Sequence, residues 1–180
     1  LENRPALLAD LSVTLKCIIS QRLVKKPDGA RCPAVEGMLN SRHVGELIDL
    51  GSRPVGRDEI GAFAARWDPQ PMHLDEEAGR ASMAGGLFAS GWHTASLFLR
   101  MACDALLSRS ASLGAPGIEH LAWKAPVRPG DTLTGRMTVR EMRTSASRAG
   151  LGFLATEVVM ANQRGEPVMT MRTTLMIARR

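Results

Sequence analysis

The chain has 180 residues, 44% of them hydrophobic and 23% charged, with a formal net charge of +5 and a pI near 9.7. That length and balance fit one soluble globular domain with a buried core and exclude a disordered or fibrous chain. A basic surface attracts nucleic acid, anionic lipid or a phosphate-bearing small molecule. The sequence has no dense Lys/Arg run interleaved with aromatics, so nucleic acid is not the expected partner. Cys17, Cys32 and Cys103 are odd in number and far apart, and no CxxC occurs. This predicts a reducing, cytoplasmic setting with no disulfide framework and no zinc site.

Residues 1–37 read as a leader or extension, poorly ordered, ahead of a single domain over 38–180. The apolar stretch Leu11–Ile19 is interrupted by Lys16 and is too short to span a membrane. From His43 to Leu50 the pattern suggests a turn and a short strand. Asp58 is a candidate N-cap, and Ile60, Phe63, Ala64 and Trp67 fall on one face of a helix. Pro69 ends that helix, and the stretch Trp67–Asp75, with Pro69 and Pro71, predicts a stiff extended connector. Asp75 is placed to cap a short helix over Glu76–Arg80. After a Gly-rich joint at Ala84–Gly86, Leu87–Leu107 is nearly apolar all round and predicts one long buried helix. The period then changes. Ile118–Ala125, the alternating Leu133, Gly135, Met137 and Val139, Leu151–Asn162 and Val168–Ile177 read as strands. Turns are expected at Pro129–Asp131 and Gln163–Glu166. A run of helices followed by a run of strands is α+β, with an antiparallel sheet wrapped around the long helix.

The connector carries the chemistry. Asp68 is a proton acceptor and His73 titrates near neutral pH, so a rigid mount for both suggests an acid/base pair. The bland alternative is a turn-opening Asp and an idle loop His. Downstream, the first N–H groups of the long helix lack internal partners and carry partial positive charge. Gly91 lets a ligand oxygen approach its backbone, as in an oxyanion site, unless Gly86 and Gly91 serve only close packing.

Together, Asp68-Pro69-Gln70-Pro71-Met72-His73-Leu74-Asp75 and Gly85-Gly86-Leu87-Phe88-Ala89-Ser90-Gly91-Trp92-His93 resemble the MaoC-like dehydratases, the R-specific enoyl-CoA hydratase ("hydratase 2") branch of the hotdog superfamily. That branch has the pattern Asp-x-Asn-Pro-x-His-x-Asp with a Gly eighteen positions after the His, where Gly91 stands. Ala125-Pro126-Val127-Arg128-Pro129-Gly130-Asp131-Thr132 resembles a further strand and turn of the family.

The resemblance implies a hotdog fold and a homodimer or dimer of dimers that binds an acyl-CoA near a subunit interface. The implied activity is that of a hydro-lyase of fatty acid metabolism, interconverting a 2-enoyl-CoA and a 3-hydroxyacyl-CoA. No metal, separate cofactor, nucleic acid or membrane is implied; coenzyme A is part of the substrate. Asp68 and His73 carry over as the catalytic pair. Gly91 carries over as donor to the thioester oxygen, with Ser90, Gln70 and Trp92 as further substrate-site residues. Asp68 is assigned as base and His73 as acid, an order that sequence leaves open. Gln70 replaces the usual Asn, and Leu99 stands about where some hydratases have a Ser. Arg128, Arg143 and Arg148 are candidates to meet the coenzyme A phosphates. The rival readings are an acyl-CoA thioesterase on the same fold and a non-catalytic acyl-binding subunit.

Overall fold

The computed structural model describes residues 44–178 and the backbone of two short strands, β1 (Leu23–Lys25) and β2 (Arg31–Pro33), which pair antiparallel. The remainder of the expected leader, and the side chains of Cys17 and Cys32, lie outside the described residues.

From residue 47 the chain runs β3 (Leu47–Pro54), α1 (Arg57–Trp67), α2 (Pro71–Leu74), α3 (Glu76–Ala81) and α4 (Gly91–Ala105). A 3-10 turn at Leu107–Arg109 leads to β4 (Ile118–Trp123), β5 (Thr132–Thr144), β6 (Leu151–Ala161) and β7 (Pro167–Ala178). Five strands form one antiparallel sheet in the order β3-β5-β6-β7-β4. Along β5, Leu133, Gly135, Met137 and Val139 point inward and their neighbours outward, as a period of two requires. Leu97, Phe98, Met101 and Ala102 of α4 pack with inward residues such as Val158, Met169 and Leu175 into a single core. Each large apolar side chain buried there contributes about 1.5–3 kcal/mol. Met137, Met160 and Met169 are fully buried; flexible thioethers fill the gaps that a chain poor in aromatics leaves. A long helix held against an antiparallel sheet is the hotdog architecture.

Several local expectations are corrected. The N-cap of α1 is Gly56, and Asp58 lies with Glu59 in the first turn, where negative charge complements the helix dipole. Ile60 and Ala64 are buried, but Trp67 is 66% exposed, with the Arg66 guanidinium 5.0 Å from its ring centroid. The connector is extended only through Gln70. Pro71 then opens a helical turn, because a residue without an N–H is well suited to the first position of a helix. Helix α4 begins at Gly91, not Leu87. Residues 87–90 stay outside the helix, and the Ala89 N–H donates to the Val127 carbonyl at 2.8 Å. Nor is α4 buried all round, since Trp92, Leu99 and Arg100 are exposed. Among the described residues no helix is long and apolar enough to cross a membrane.

Candidate active site

Asp68 is the C-cap of α1 and its N–H donates to the Ala64 carbonyl at 2.9 Å. Pro71 starts α2, which carries His73 inward until the ring is only 4% exposed. Asp75 then ends α2 and caps α3, accepting from the Ala78 N–H at 2.8 Å. Pro71 at the start of α2 and the Asp75 cap at its end thus hold the turn that carries His73 toward Asp68.

The segment opposite is pinned as closely. Gly79 lies so near the following loop that a Cβ would sit 2.6 Å from the Leu87 nitrogen. The Gly86 N–H donates to the Gly79 carbonyl at 2.9 Å. Arg128 donates to the Ala84 carbonyl and lies against Gly86. Its guanidinium therefore braces this loop from within. Arg143 stacks on Phe153, 4.1 Å from the ring centroid, and Arg148 is exposed.

Between these walls, His73 Nε2 lies 3.5 Å from Asp68 Oδ2. The other ring nitrogen, Nδ1, is 2.9 Å from the Phe88 carbonyl oxygen. A carbonyl only accepts, so Nδ1 carries a hydrogen and donates. Nε2 is the nitrogen left to exchange a proton toward Asp68. The Phe88 ring meets His73 edge-on at 4.6 Å and fixes its plane. A 3.5 Å separation is too long for a strong direct hydrogen bond.

Asp68 is held from its other side. Ser90 Oγ donates to Oδ2 at 2.6 Å and Gln70 Nε2 donates to Oδ1 at 2.7 Å. The Ser90 bond first, and the Gln70 bond second, hold the carboxyl below its ordinary value of 3.8; burial opposes them and the nearby His73 charge assists. Ser90 is 1% exposed and also caps α4, its Oγ accepting from the Trp92 N–H at 3.2 Å. Two residues expected to touch substrate, Ser90 and Gln70, thus hold the carboxylate. Sequence reasoning missed this role for Ser90, although a Ser immediately before a helix is an N-cap signature.

Gly91 is the first residue of α4, so its N–H has no partner one turn back. Its other face is covered. A Cβ there would sit 2.4 Å from the Trp123 ring, and Trp123 Nε1 donates to the Gly91 carbonyl at 2.8 Å. The structure therefore gives Gly91 the close-packing role that stood as the alternative reading. Trp92 meets Trp123 edge-on at 5.5 Å and is 56% exposed.

A separate cleft of about 370 Å³ is lined by residues including Arg53, Glu59, Phe63, His93 and Arg100, but by neither Asp68 nor His73. Buried His93 stacks on Phe63 with centroids 4.7 Å apart, and its Nε2 is 3.9 Å from Glu59, which pairs with Arg53 at 2.7 Å. Burial is the main cause holding the His93 imidazole below its ordinary value of 6.5, against the pull of Glu59. No local motif announces this cluster, because β3, α1 and α4 each supply a part. Among the described residues no three His, Cys, Asp or Glu side chains are grouped to hold a metal ion.

Residues 40–159 match the family model of the MaoC-like domain. The chain belongs to the MaoC-like dehydratase family. A MaoC-like dehydratase from Rhodospirillum rubrum is 39% identical, with a TM-score of 0.73 over 79% of this chain and 97% of that one. The (R)-hydratase from A. caviae involved in PHA biosynthesis is 28% identical, with a TM-score of 0.60 over 75% of this chain and 96% of that one. In sequence, the uncharacterized protein YdeM of Bacillus subtilis is 26% identical across 78% of this chain and 99% of its own length. The MaoC-like assignment places the sequence motifs in a family that includes hydratases and dehydratases.

Proposed function

We propose that this MaoC-like protein is a hydro-lyase that reversibly adds water to a 2-enoyl-CoA thioester, giving an (R)-3-hydroxyacyl-CoA. The observation that carries the reading is the facing of His73 Nε2 and Asp68 Oδ2 at 3.5 Å, with His73 Nδ1 committed to the Phe88 carbonyl.

In the hydration direction one water lies between the pair. Asp68 takes a proton from it as its oxygen bonds to the β carbon. The π electrons move toward the thioester, and charge develops on the thioester oxygen. The Gly91 N–H and the start of α4 stabilise that oxygen; one such donor is worth about 3–4 kcal/mol in other enzymes. His73, as imidazolium, gives its Nε2 proton to the α carbon. Asp68 is left protonated and His73 neutral, and transfer of the proton across the gap resets the pair. Dehydration is the reverse.

The acyl-CoA approaches at the contact of two subunits. Strand β4 ends the sheet, and the exposed Ile118, Trp123 and Trp92 lie on or beside it. An unpaired edge flanked by apolar side chains is suited to a second copy of the chain. A homodimer in the cytoplasm, acting in fatty acid metabolism, is the setting that fits a thioester hydratase.

The test offers the purified protein crotonyl-CoA. Loss of enoyl absorbance without thiol release supports hydration. Release of free coenzyme A thiol would instead make the protein a thioesterase. Absence of both, over a panel of acyl chain lengths including branched and dicarboxylic groups, would overturn the reading.

A further inference from the structure

We infer that Ser90 and Gln70 are positioning residues, a two-sided clamp that aims the Asp68 carboxylate at the shared water and keeps it ready to accept a proton. The inference rests on Asp68 and His73 being the acid/base pair.

Three observations support it. First, both Asp68 oxygens are engaged by outside donors, Oδ2 by Ser90 at 2.6 Å and Oδ1 by Gln70 at 2.7 Å. A carboxylate gripped at both oxygens cannot rotate about its terminal bond without breaking one grip. Second, Gln70 presents an amide nitrogen, which only donates, and the Ser90 oxygen already accepts from the Trp92 N–H. Both partners therefore favour the ionised form of Asp68. Third, Ser90 is the N-cap of α4, so the same hydroxyl ties the carboxylate to the positive end of that helix. Gly91 follows directly, which makes the aim of the base and the placement of the anticipated oxyanion donor one mechanical unit. Gln70 is reached from the opposite side. It lies between the two prolines, in extended backbone with φ −78° and ψ 138°, two residues from Asp68, so the clamp is closed locally at one jaw and across the fold at the other.

Two consequences set this apart from simple helix capping. A carboxyl freed from the clamp becomes a stronger base. If basicity alone mattered, removing Ser90 Oγ would speed the reaction; if aim matters, the reaction slows although the base is stronger. In addition, Gly is nearly as good an N-cap as Ser, so Ser90→Gly removes the jaw while largely keeping the cap.

The experiment compares wild type, Ser90→Gly and Gln70→Leu. The Asp68 carboxyl is titrated by carbon NMR, and kcat and KM for crotonyl-CoA are measured across pH. The clamp predicts an Asp68 titration moved to higher pH in both variants, more in Ser90→Gly. It also predicts an acid limb of kcat that moves with it, and a neutral-pH kcat lower by about tenfold to a hundredfold, the cost of a misplaced catalytic group, with KM changed little. Gln70 is exposed, so Gln70→Leu tests the clamp even if Ser90→Gly folds badly. An Asp68 titration that does not move in either variant, or a kcat that holds or rises as it moves, overturns the inference. The titration needs no substrate. A wild-type protein inert toward enoyl thioesters, with the titration shifts intact, would refute the proposed reaction while leaving the grip on Asp68 standing.

Discussion

Replacing Gly91 with alanine tests the packing of the site most directly. The new Cβ would lie 2.4 Å from Trp123 Cε2, where ordinary contact begins at 3.4 Å, so the indole must retreat by at least 1.0 Å (3.4 − 2.4). Trp123 is 47% exposed and can swing outward, but doing so breaks its bond to the Gly91 carbonyl and its edge contact with Trp92. Overpacking of this kind costs about 1–3 kcal/mol, and the better helix propensity of alanine returns about 0.5–1 kcal/mol. The net loss is about 0–2.5 kcal/mol, read from urea unfolding, with a change in native tryptophan fluorescence. Because the Gly91 N–H survives but shifts, kcat for hydration should fall by about tenfold or more, short of the 10²–10³ that follows removal of a donor. Gly61, inside α1 with nothing within 4 Å of its would-be Cβ, is the control: Gly61→Ala should stabilise by about 0.5–1 kcal/mol. A Gly91→Ala protein as stable as wild type, with unchanged fluorescence, would refute the placement of Trp123 against the helix start.

Asp68→Ala and His73→Ala should each lower kcat by about 10²–10⁴ while far-UV circular dichroism stays native; a double variant that still turns over would exclude the pair as the catalytic groups. Gly79→Ala should destabilise more than Gly91→Ala, about 3 kcal/mol, because the obstacle at 2.6 Å is Leu87 backbone and cannot swing away; urea melts rank the two. The folded His93 resists protonation below its ordinary value of 6.5, so the unfolded chain binds the extra proton first and stability falls as pH drops from that value through the folded one. His93→Phe should flatten this part of the Tm-against-pH curve, and an equally steep curve would show that another group is responsible. With the proposed homodimer formed through β4, Ile118→Lys combined with Trp92→Lys should yield a monomer in sedimentation where the wild type is a dimer; a wild-type monomer, or a dimer that the two changes leave intact, would refute that contact.

How much of this was legible depended on how local each cause is. The alternation in β5 is written in consecutive residues and came through intact. The cap at Asp75 and the stop at Pro69 did too, since each acts within one turn. The connector is harder to read, because proline breaks a helix from within, yet at Pro71 its fixed φ and missing N–H start one. The start of α4 at Gly91 is not legible, because apolar character alone does not separate a buried helix from a buried extended segment. Ala89 settles it by pairing with Val127, far along the chain. The facing of Asp68 and His73 was legible from the motif, whereas the hold of Ser90 on Asp68 and the convergence of Arg53, Glu59 and His93 depend on contacts between distant elements.

Every described side chain that grips or faces the Asp68 carboxylate comes from the stretch between Gln70 and Ser90. The sheet lends none of them; from β4, the Trp123 indole leans on Gly91. The working parts are thus a contiguous cassette clipped onto a scaffold. Mutational drift across the outer face of β5, β6 and β7 should therefore leave turnover largely untouched, and a related scaffold with a matching helix start should accept the cassette as a graft.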